Sequence, residues 1–264
     1  MSVKFRAFAL VGPMCLAGLC VSFAPLPTFG QECRKPTTQE LQAVENAQRA
    51  LKQAVDGPVI GLGWKLQSQK SDQIPLSVAT DAKPKRPLMS CWPIYDAKFV
   101  LAETNPHYAA LHSQAEKGSV AEQNWMARCL KAMHPGCEVK PDDVKQGDRA
   151  RAASGMEIRI TENDPFMRLS HPEPIRKLDV QSAAVAYQSP SNDEYLVDTI
   201  VCVGAWKPDV VFAPGNRDVP FPFQHSPGTP FLENMCIKIV VAPEMAEEVL
   251  RKVNWQQLND SLTK

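Results

Sequence analysis

Hydrophobic residues recur at helical spacing near both ends of the chain. Between Thr37 and Val55 the apolar positions fall three or four residues apart, and Gly57 with Pro58 follows, so we predict one helix that ends at this pair. This helix is expected to lie against a sheet. The segment that begins near Pro243 has the same spacing and predicts a closing helix. A central helix is predicted for the stretch SVAEQNWMARCLKAM.

Short apolar or alternating runs between these helices predict strands. The first is VIGLGWKL, after the first helix, and the second opens at Cys91 in CWPIYDAKFVLAE. Later runs of the same character are MEIRI, SAAVAYQ, EYLVDTIVCVGAW and CIKIVVA. Strands and helices are grouped rather than strictly alternating, so we predict an α+β fold in which antiparallel sheet packs against helices.

Two heptapeptides, VIGLGWK at residues 59 to 65 and VCVGAWK at residues 201 to 207, resemble each other. Each precedes a proline-bearing loop, then a strand led by Cys91 or Cys236, then a helix that contains an Asn-Trp pair. The shared order of elements suggests two similar halves that diverged after a duplication, and coincidence is the alternative. The unequal spacings do not decide between them, because loops vary in length more readily than packed elements.

A charged stretch separates these two parts of the chain. Residues 138 to 155 contain almost no large apolar side chain, which is typical of a linker or an exposed connection. We therefore predict an N-terminal α+β half at residues 31–150 and a C-terminal α+β half at residues 151–264.

The first thirty residues have the layout of a secretory signal peptide. Lys4 and Arg6 precede an uncharged apolar run, and a turn-rich exit follows it. Cleavage after Gly30 is expected because it leaves small residues where signal peptidase reads the chain, and cleavage after Ala24 is the alternative. An uncleaved membrane anchor is disfavoured by the prolines within and after the run. We expect residues 1–30 to be removed and the protein to be periplasmic or extracellular.

Charge and hydropathy argue against two classes of partner for the exported chain. Removal of residues 1–30 leaves 27 Lys and Arg against 29 Asp and Glu, which gives no electrostatic footprint for nucleic acid or for an anionic membrane. No later segment is apolar over the length of a membrane span, so we expect no stable membrane insertion of the mature chain.

Six cysteines follow residue 30, and an even number in an exported chain predicts three disulfides. Cys129 and Cys137 flank a short turn, so closing that loop is easy and we predict that they pair. Cys202 and Cys236 are predicted to pair across neighbouring strands. The sequence does not indicate the disulfide partners of Cys33 and Cys91.

No motif in the sequence indicates a cofactor or a resident metal. The chain has no Gly-x-Gly-x-x-Gly, no phosphate loop and no Cys-x-x-Cys-His. His107 and His112 are five residues apart, off the spacing that places two ligands on one helical face. Cys129, His134 and Cys137 match no standard zinc spacing. We therefore predict neither a cofactor nor a metal ion.

The stretch from residue 207 to residue 235 contains six prolines and is the best sequence candidate for a contact surface. A backbone stiffened by proline loses little entropy on binding, and aromatic side chains are typical anchors of interfaces. The alternative is that these phenylalanines pack back under the loop as a small core. The predicted binding residues are Phe221, Phe223, His225 and Phe231.

These observations favour an exported, soluble, non-catalytic protein that binds another protein. An inhibitor, an immunity-type protein and an envelope accessory factor all fit this description. The second hypothesis is a hydrolase whose site is assembled from distant segments. Because no Gly-x-Ser-x-Gly elbow is present, such a site would depend on loop histidines, of which His171 and His225 are the candidates.

Overall fold

The computed structural model of this chain shows an α+β fold with one large antiparallel sheet, as predicted. Helices pack on one face of this sheet, and a helical hairpin is inserted between two of its strands. The structure describes residues 33–34, 37–71, 78–79, 95–132, 137, 139–162, 166–168, 174–204, 206, 218–220 and 234–262.

The helices of the described residues include one π-helical turn. None of them is both long enough and apolar enough to cross a membrane. In chain order they are α1 (Thr38–Leu51), the π-turn (Lys52–Asp56), α2 (Gly57–Gly61), α3 (Tyr108–Ala132), α4 (Asp142–Ala153), α5 (Pro243–Lys252) and α6 (Trp255–Ser261).

Eleven strands are found in the same part of the chain. They are β1 (Cys33–Arg34), β2 (Trp64–Ser71), β3 (Val78–Ala79), β4 (Tyr95–Leu101), β5 (Gly155–Glu162), β6 (Phe166–Arg168), β7 (Arg176–Lys177), β8 (Val185–Pro190), β9 (Val197–Gly204), β10 (Asp218–Pro220) and β11 (Asn234–Val241).

Seven of these strands form the main sheet, in the order β2-β4-β5-β11-β9-β8-β7, and every neighbouring pair is antiparallel. Two short ladders join β1 to β3 and β6 to β10. Strand β5 pairs with β4 on one side and with β11 on the other, so strands from both predicted halves share one sheet. That the halves are repeats stays a prediction.

The main core lies between one face of the sheet and the helices α1, α2, α5 and α6. Strand residues such as Phe99, Ile158 and Ile237 are almost fully buried there, and Leu258 of α6 packs against them. Because alternate strand residues point to the same face, the strands contribute every second side chain to this core. Burial of this continuous apolar layer is the main source of stability.

The opposite face of the sheet holds a smaller core and a buried ion pair. The cluster contains Ile200 and Trp206 and is centred on Cys202 and Cys236. Beside it, Nζ of Lys238 lies 2.7 Å from Oδ2 of Asp198, whose side chain is fully buried. A buried carboxylate needs such a partner because its desolvation is costly.

Both predicted disulfide pairs are confirmed. Cys129 is bonded to Cys137, and Cys202 is bonded to Cys236 where the two residues face each other in the ladder of β9 and β11. Disulfides persist in oxidising compartments, so they indicate a non-cytoplasmic protein. The possible pairing of Cys91 lies outside the described residues.

The first helix does not end at Gly57 and Pro58, contrary to the sequence prediction. Pro58 has no N–H to donate to the carbonyl of Ala54, four residues earlier. In the structure the π-turn widens the helix at this point, with the Gly57 N–H bonded to the Lys52 carbonyl, and α2 continues with Pro58 in its first turn. The backbone N–H of Asn254 donates to the Ala54 oxygen at 3.0 Å, so a distant residue replaces the missing donor.

The strand predicted for VIGLGWKL begins only at Trp64, since the preceding residues belong to α2 and a turn. The matching heptapeptide lies largely in β9. Trp64 packs in the main core, whereas Trp206 packs in the small core on the opposite face. The resemblance between the two heptapeptides therefore does not extend to their secondary structure or to the face they occupy.

The stretch expected to be a linker contains helix α4, which packs against α3 as an antiparallel hairpin between β4 and β5. Val144 and Ala150 of α4 are buried in this contact region. Gly118 and Gly147 lie so close that a Cβ atom on either would collide with the backbone of the other. The lack of large apolar residues in this stretch predicts a linker, but in the structure small residues permit a close crossing of the two helices.

A candidate binding groove at the sheet edge

The predicted contact residues Phe221, Phe223, His225 and Phe231 lie outside the described residues. The structure does show where their segment leaves the sheet, because Gly204 ends β9 and Asn234 begins β11 directly opposite. Ser71, Tyr95 and Glu162 lie at the same end of the sheet. The long connections that follow β2, β5 and β9 therefore all leave from one end.

Of the histidines considered for catalysis or metal binding, the structure describes His107 and His112. His107 and His112 are both exposed, on the surface at and near the start of α3. His112 stacks on Tyr108 with ring centroids 5.3 Å apart, and its Nδ1 lies 3.7 Å from a Glu116 oxygen. His134, His171 and His225 lie outside the described residues. In the part of the chain that the structure describes, no group of three His, Cys, Asp or Glu side chains is placed to hold a metal ion.

Among the described residues, a concave surface lies at the edge of the sheet opposite β2. Helices α5 and α6 contact β9 and β11, while β8 and β7 extend the sheet beyond them. The resulting space, here called the edge groove, has a volume of about 740 Å³. Residues 176–182 form one side, and residues of α5 and of its junction with α6 form the other.

The floor of the edge groove is apolar. Leu178, Val180 and Leu250 are partly buried and pack against the main core. Val253 and Trp255 lie deeper and are nearly inaccessible. The indole Nε1–H of Trp255 donates to the Leu250 carbonyl at 2.8 Å, so the ring's polar atom is satisfied inside the protein. An apolar side chain of a ligand could pack on this floor without leaving a polar group unpaired.

The rim of the groove is charged and mixed in sign. Arg176 and Arg251 are exposed cations, and Asp179 and Glu247 are exposed carboxylates. The Arg176 guanidinium donates to the side chain of Gln188 at 2.9 Å, which holds it at the mouth of the groove. A rim of this kind gives directional polar contacts around an apolar floor, which is the usual composition of a ligand site.

One end of the groove is closed by a strained turn. The Val180 carbonyl accepts the N–H of Ala183, and Ser182 within this turn has φ of 66°. That left-handed conformation favours glycine and costs other residues free energy. Ser182 is held there in part because its hydroxyl donates to Oε1 of Gln256 at 2.6 Å, across the groove.

The opposite wall is held by contacts with the first helix. Besides the bond between Asn254 and Ala54, Nε2 of Gln257 donates to Oε1 of Gln53 at 2.9 Å. The side chain of Asn254 also caps α6 by accepting the N–H of Gln257 at 3.0 Å. The position of this wall thus depends on the π-turn in the first helix.

A second polar contact also involves the π-turn. The Tyr95 hydroxyl donates to Oδ1 of Asp56 at 2.6 Å. Burial raises the pKa of the Asp56 carboxyl, although the bond from Tyr95 and the nearby Lys52 ammonium act in the opposite direction. Burial and the adjacent carboxylate raise the pKa of Tyr95, so its hydroxyl stays protonated and remains a donor.

Sequence reasoning did not identify the edge groove. Its two sides are about seventy residues apart in the chain, and the run RKLDVQS carries no recognised motif. The only local signal in the sequence is that apolar residues of the closing helix, such as Leu250, have charged neighbours. Comparison with protein-family models, with curated proteins and with solved structures finds no match to this chain.

Proposed function

We propose that this protein is an exported, non-catalytic binding protein that holds a segment of another protein in the edge groove. The observation that supports the proposal is the groove itself, in which an apolar floor lies beside the last strand of the sheet under a charged rim. Its volume falls within the range typical of ligand sites.

The composition of the groove favours a polypeptide ligand. Leu178 and Leu250 offer apolar contact, and the rim carries both cations and carboxylates. A peptide combines apolar side chains, backbone donors and acceptors, and charges at intervals that match such a surface. The proline-rich segment that contains Phe221 and Phe223 is proposed to add contacts when a whole partner protein binds. The hydrolase hypothesis built on His171 and His225 has no supporting observation among the described residues.

Export is part of the proposal. Two disulfides indicate an oxidising compartment, and the basic and apolar layout of residues 1–30 indicates a secretory signal. A signal cleaved after Gly30 gives a chain that begins close to β1. Mass spectrometry of the exported protein tests this directly, because an intact N-terminus after export would contradict it.

Selection from a displayed library of random twelve-residue peptides tests the binding function. The exported, oxidised protein serves as bait, and binding of recovered peptides is measured by fluorescence anisotropy. The rim variant Arg251→Glu should weaken binding about tenfold or more, which is the effect expected when a charged contact is reversed. Arg251 is exposed, and its Nε donates to the Glu247 carbonyl of its own helix, so the fold should tolerate the change.

The matched control is Arg128→Glu on α3. Arg128 is also exposed and also contacts a carbonyl of its own helix. It should leave peptide binding unchanged. Recovery of no peptide, or equal weakening by both variants, would contradict the proposal.

A further inference from the structure

The hydrogen bonds of β7 show which of its backbone groups face outward. The N–H of Leu178 donates to the carbonyl of Ala186 at 2.9 Å, and Arg176 stands opposite Gln188 in the same ladder. In an antiparallel pair, residues alternate between those that bond to the neighbouring strand and those that point their N–H and C=O away from it. Lys177 therefore directs its backbone donor and acceptor outward.

No described strand lies on that outward side, because β7 is the last strand of the sheet. An exposed edge is usually kept short and charged to prevent unwanted pairing. Here β7 is two residues long and reads Arg-Lys, which fits this pattern. Among the described residues the edge therefore has no pairing strand, and its short charged sequence limits indiscriminate association.

Successive side chains along this edge point to opposite faces of the sheet. Ile175 packs in the small core, so it and Lys177 lie on the side of the sheet away from the helices. Leu178 packs in the main core, so it and Arg176 lie on the helix side, where the groove is. In a strand added beside Lys177, the residue paired with Lys177 would point away from the helices. The residues immediately before and after it in the added strand would point to the groove side.

We infer that the groove's ligand is an extended peptide segment that adds to β7 as an eighth strand, with an acidic and a large apolar residue separated by one position. The apolar residue lies beside Leu178 and packs on the groove floor. The acidic residue lies beside Arg176, whose guanidinium faces it across the strands. This inference rests on the proposed binding function and adds the conformation and the side-chain pattern of the ligand.

N-methylation of each backbone nitrogen in turn, in a peptide recovered from the library, tests the strand pairing. A methyl group removes one N–H donor, so methylation of the peptide nitrogen that donates to the Lys177 carbonyl should weaken binding about tenfold, while the nitrogens on either side of it should tolerate the change. Hydrogen exchange provides the second measurement. The Lys177 amide should exchange quickly in the free protein and be protected in the complex.

The side-chain pattern is tested with charge reversal. Arg176→Glu should weaken peptides that carry the acidic residue and strengthen the same peptides when that residue is changed to lysine. The control is Arg149→Glu on α4, which should change neither. Rescue by the reversed peptide would not occur if Arg176 only supported the fold.

The outcomes separate the inference from the proposed function. Binding that is sensitive to Arg251→Glu but shows no alternation on N-methylation would overturn strand addition and leave groove binding intact. A Lys177 amide that is already protected in the free protein would show that the chain covers its own edge, which also overturns the inference. Recovery of no groove-dependent peptide would overturn both.

Discussion

The backbone N–H of Asn254 donates to the carbonyl of Ala54, two hundred residues away in the chain, at 3.0 Å. The bond exists because Pro58 cannot donate to that carbonyl and the π-turn exposes it. It joins the first helix to the junction between α5 and α6, which is one wall of the edge groove. A local irregularity in one helix is therefore connected to the shape of the candidate site.

Two substitutions at Asn254 should separate its backbone bond from its side-chain cap. Asn254→Ala removes the cap on the Gln257 N–H and should lower the free energy of unfolding by about 1 kcal/mol. Asn254→Pro also removes the N–H, leaves the Ala54 carbonyl unpaired and should cost about 1–3 kcal/mol more. Val253 has the extended conformation that proline requires before it. Urea unfolding measures both, and equal losses would show that the backbone bond contributes nothing.

The buried pair of Lys238 and Asp198 predicts a large effect on stability. Lys238→Met leaves a fully buried carboxylate without its ammonium partner and should lower the free energy of unfolding by about 3–5 kcal/mol. The double variant Asp198→Asn with Lys238→Met removes both charges and should recover a substantial part of that loss. Thermal and urea unfolding compare the three proteins. A double variant no more stable than the single one would refute the argument from uncompensated charge.

The two observed disulfides should differ in their contribution. Cys129 and Cys137 are separated by 8 positions, and Cys202 and Cys236 by 34. Loop-closure entropy then predicts a loss of about 2.5 kcal/mol when the first pair is changed to alanine and about 4 kcal/mol for the second. Because Cys202 and Cys236 are buried, their replacement by alanine also removes packing contacts, which increases the difference in stability between the two variants. Guanidinium unfolding of the two double variants measures the order, and the reverse order would contradict the prediction.

The raised pKa of Asp56 predicts a pH-dependent difference between wild type and Asp56→Asn. The native state retains the proton above the ordinary pKa of 3.8, so this group's contribution to stability is greatest at low pH and declines as pH rises through the native pKa. Asparagine keeps the acceptor for Tyr95 but cannot ionise. As pH rises from about 4 to about 7, the variant should therefore gain stability relative to wild type, because asparagine has no proton to lose.

Melting temperatures measured across that range test the sign of the Asp56 effect. A curve for Asp56→Asn that runs parallel to that of wild type would show that burial does not disfavour the Asp56 carboxylate.

Features set by local chemistry were predictable from the sequence. The spacing of apolar residues identified the first helix and the closing helical segment, although the structure divides that segment into α5 and α6. The turn between Cys129 and Cys137 indicated their disulfide. The cross-strand bond between Cys202 and Cys236 was expected only on the interpretation of two similar halves, and the structure shows it.

Features that depend on distant contacts were not predictable. Gly57 and Pro58 carry a local signal for helix termination, whereas the π-turn and the bond from the distant Asn254 accommodate Pro58 within a continuing helix. The charged stretch around α4 looked like a linker because its packing uses Gly147 and alanines rather than large apolar residues. The edge groove exists because the sheet is wider than its helix layer, a mismatch that no local pattern encodes.

The bond between Cys202 and Cys236 also has a mechanical consequence. It crosses β9 and β11 two residues from Gly204 and Asn234, where the proline-rich segment leaves the sheet. Tension applied through that segment would separate only the last pairs of the ladder before the covalent link took the load. A partner that pulls on the segment would therefore load a covalent bond. The edge strand β7 contains no cysteine and is held to the sheet by non-covalent contacts alone.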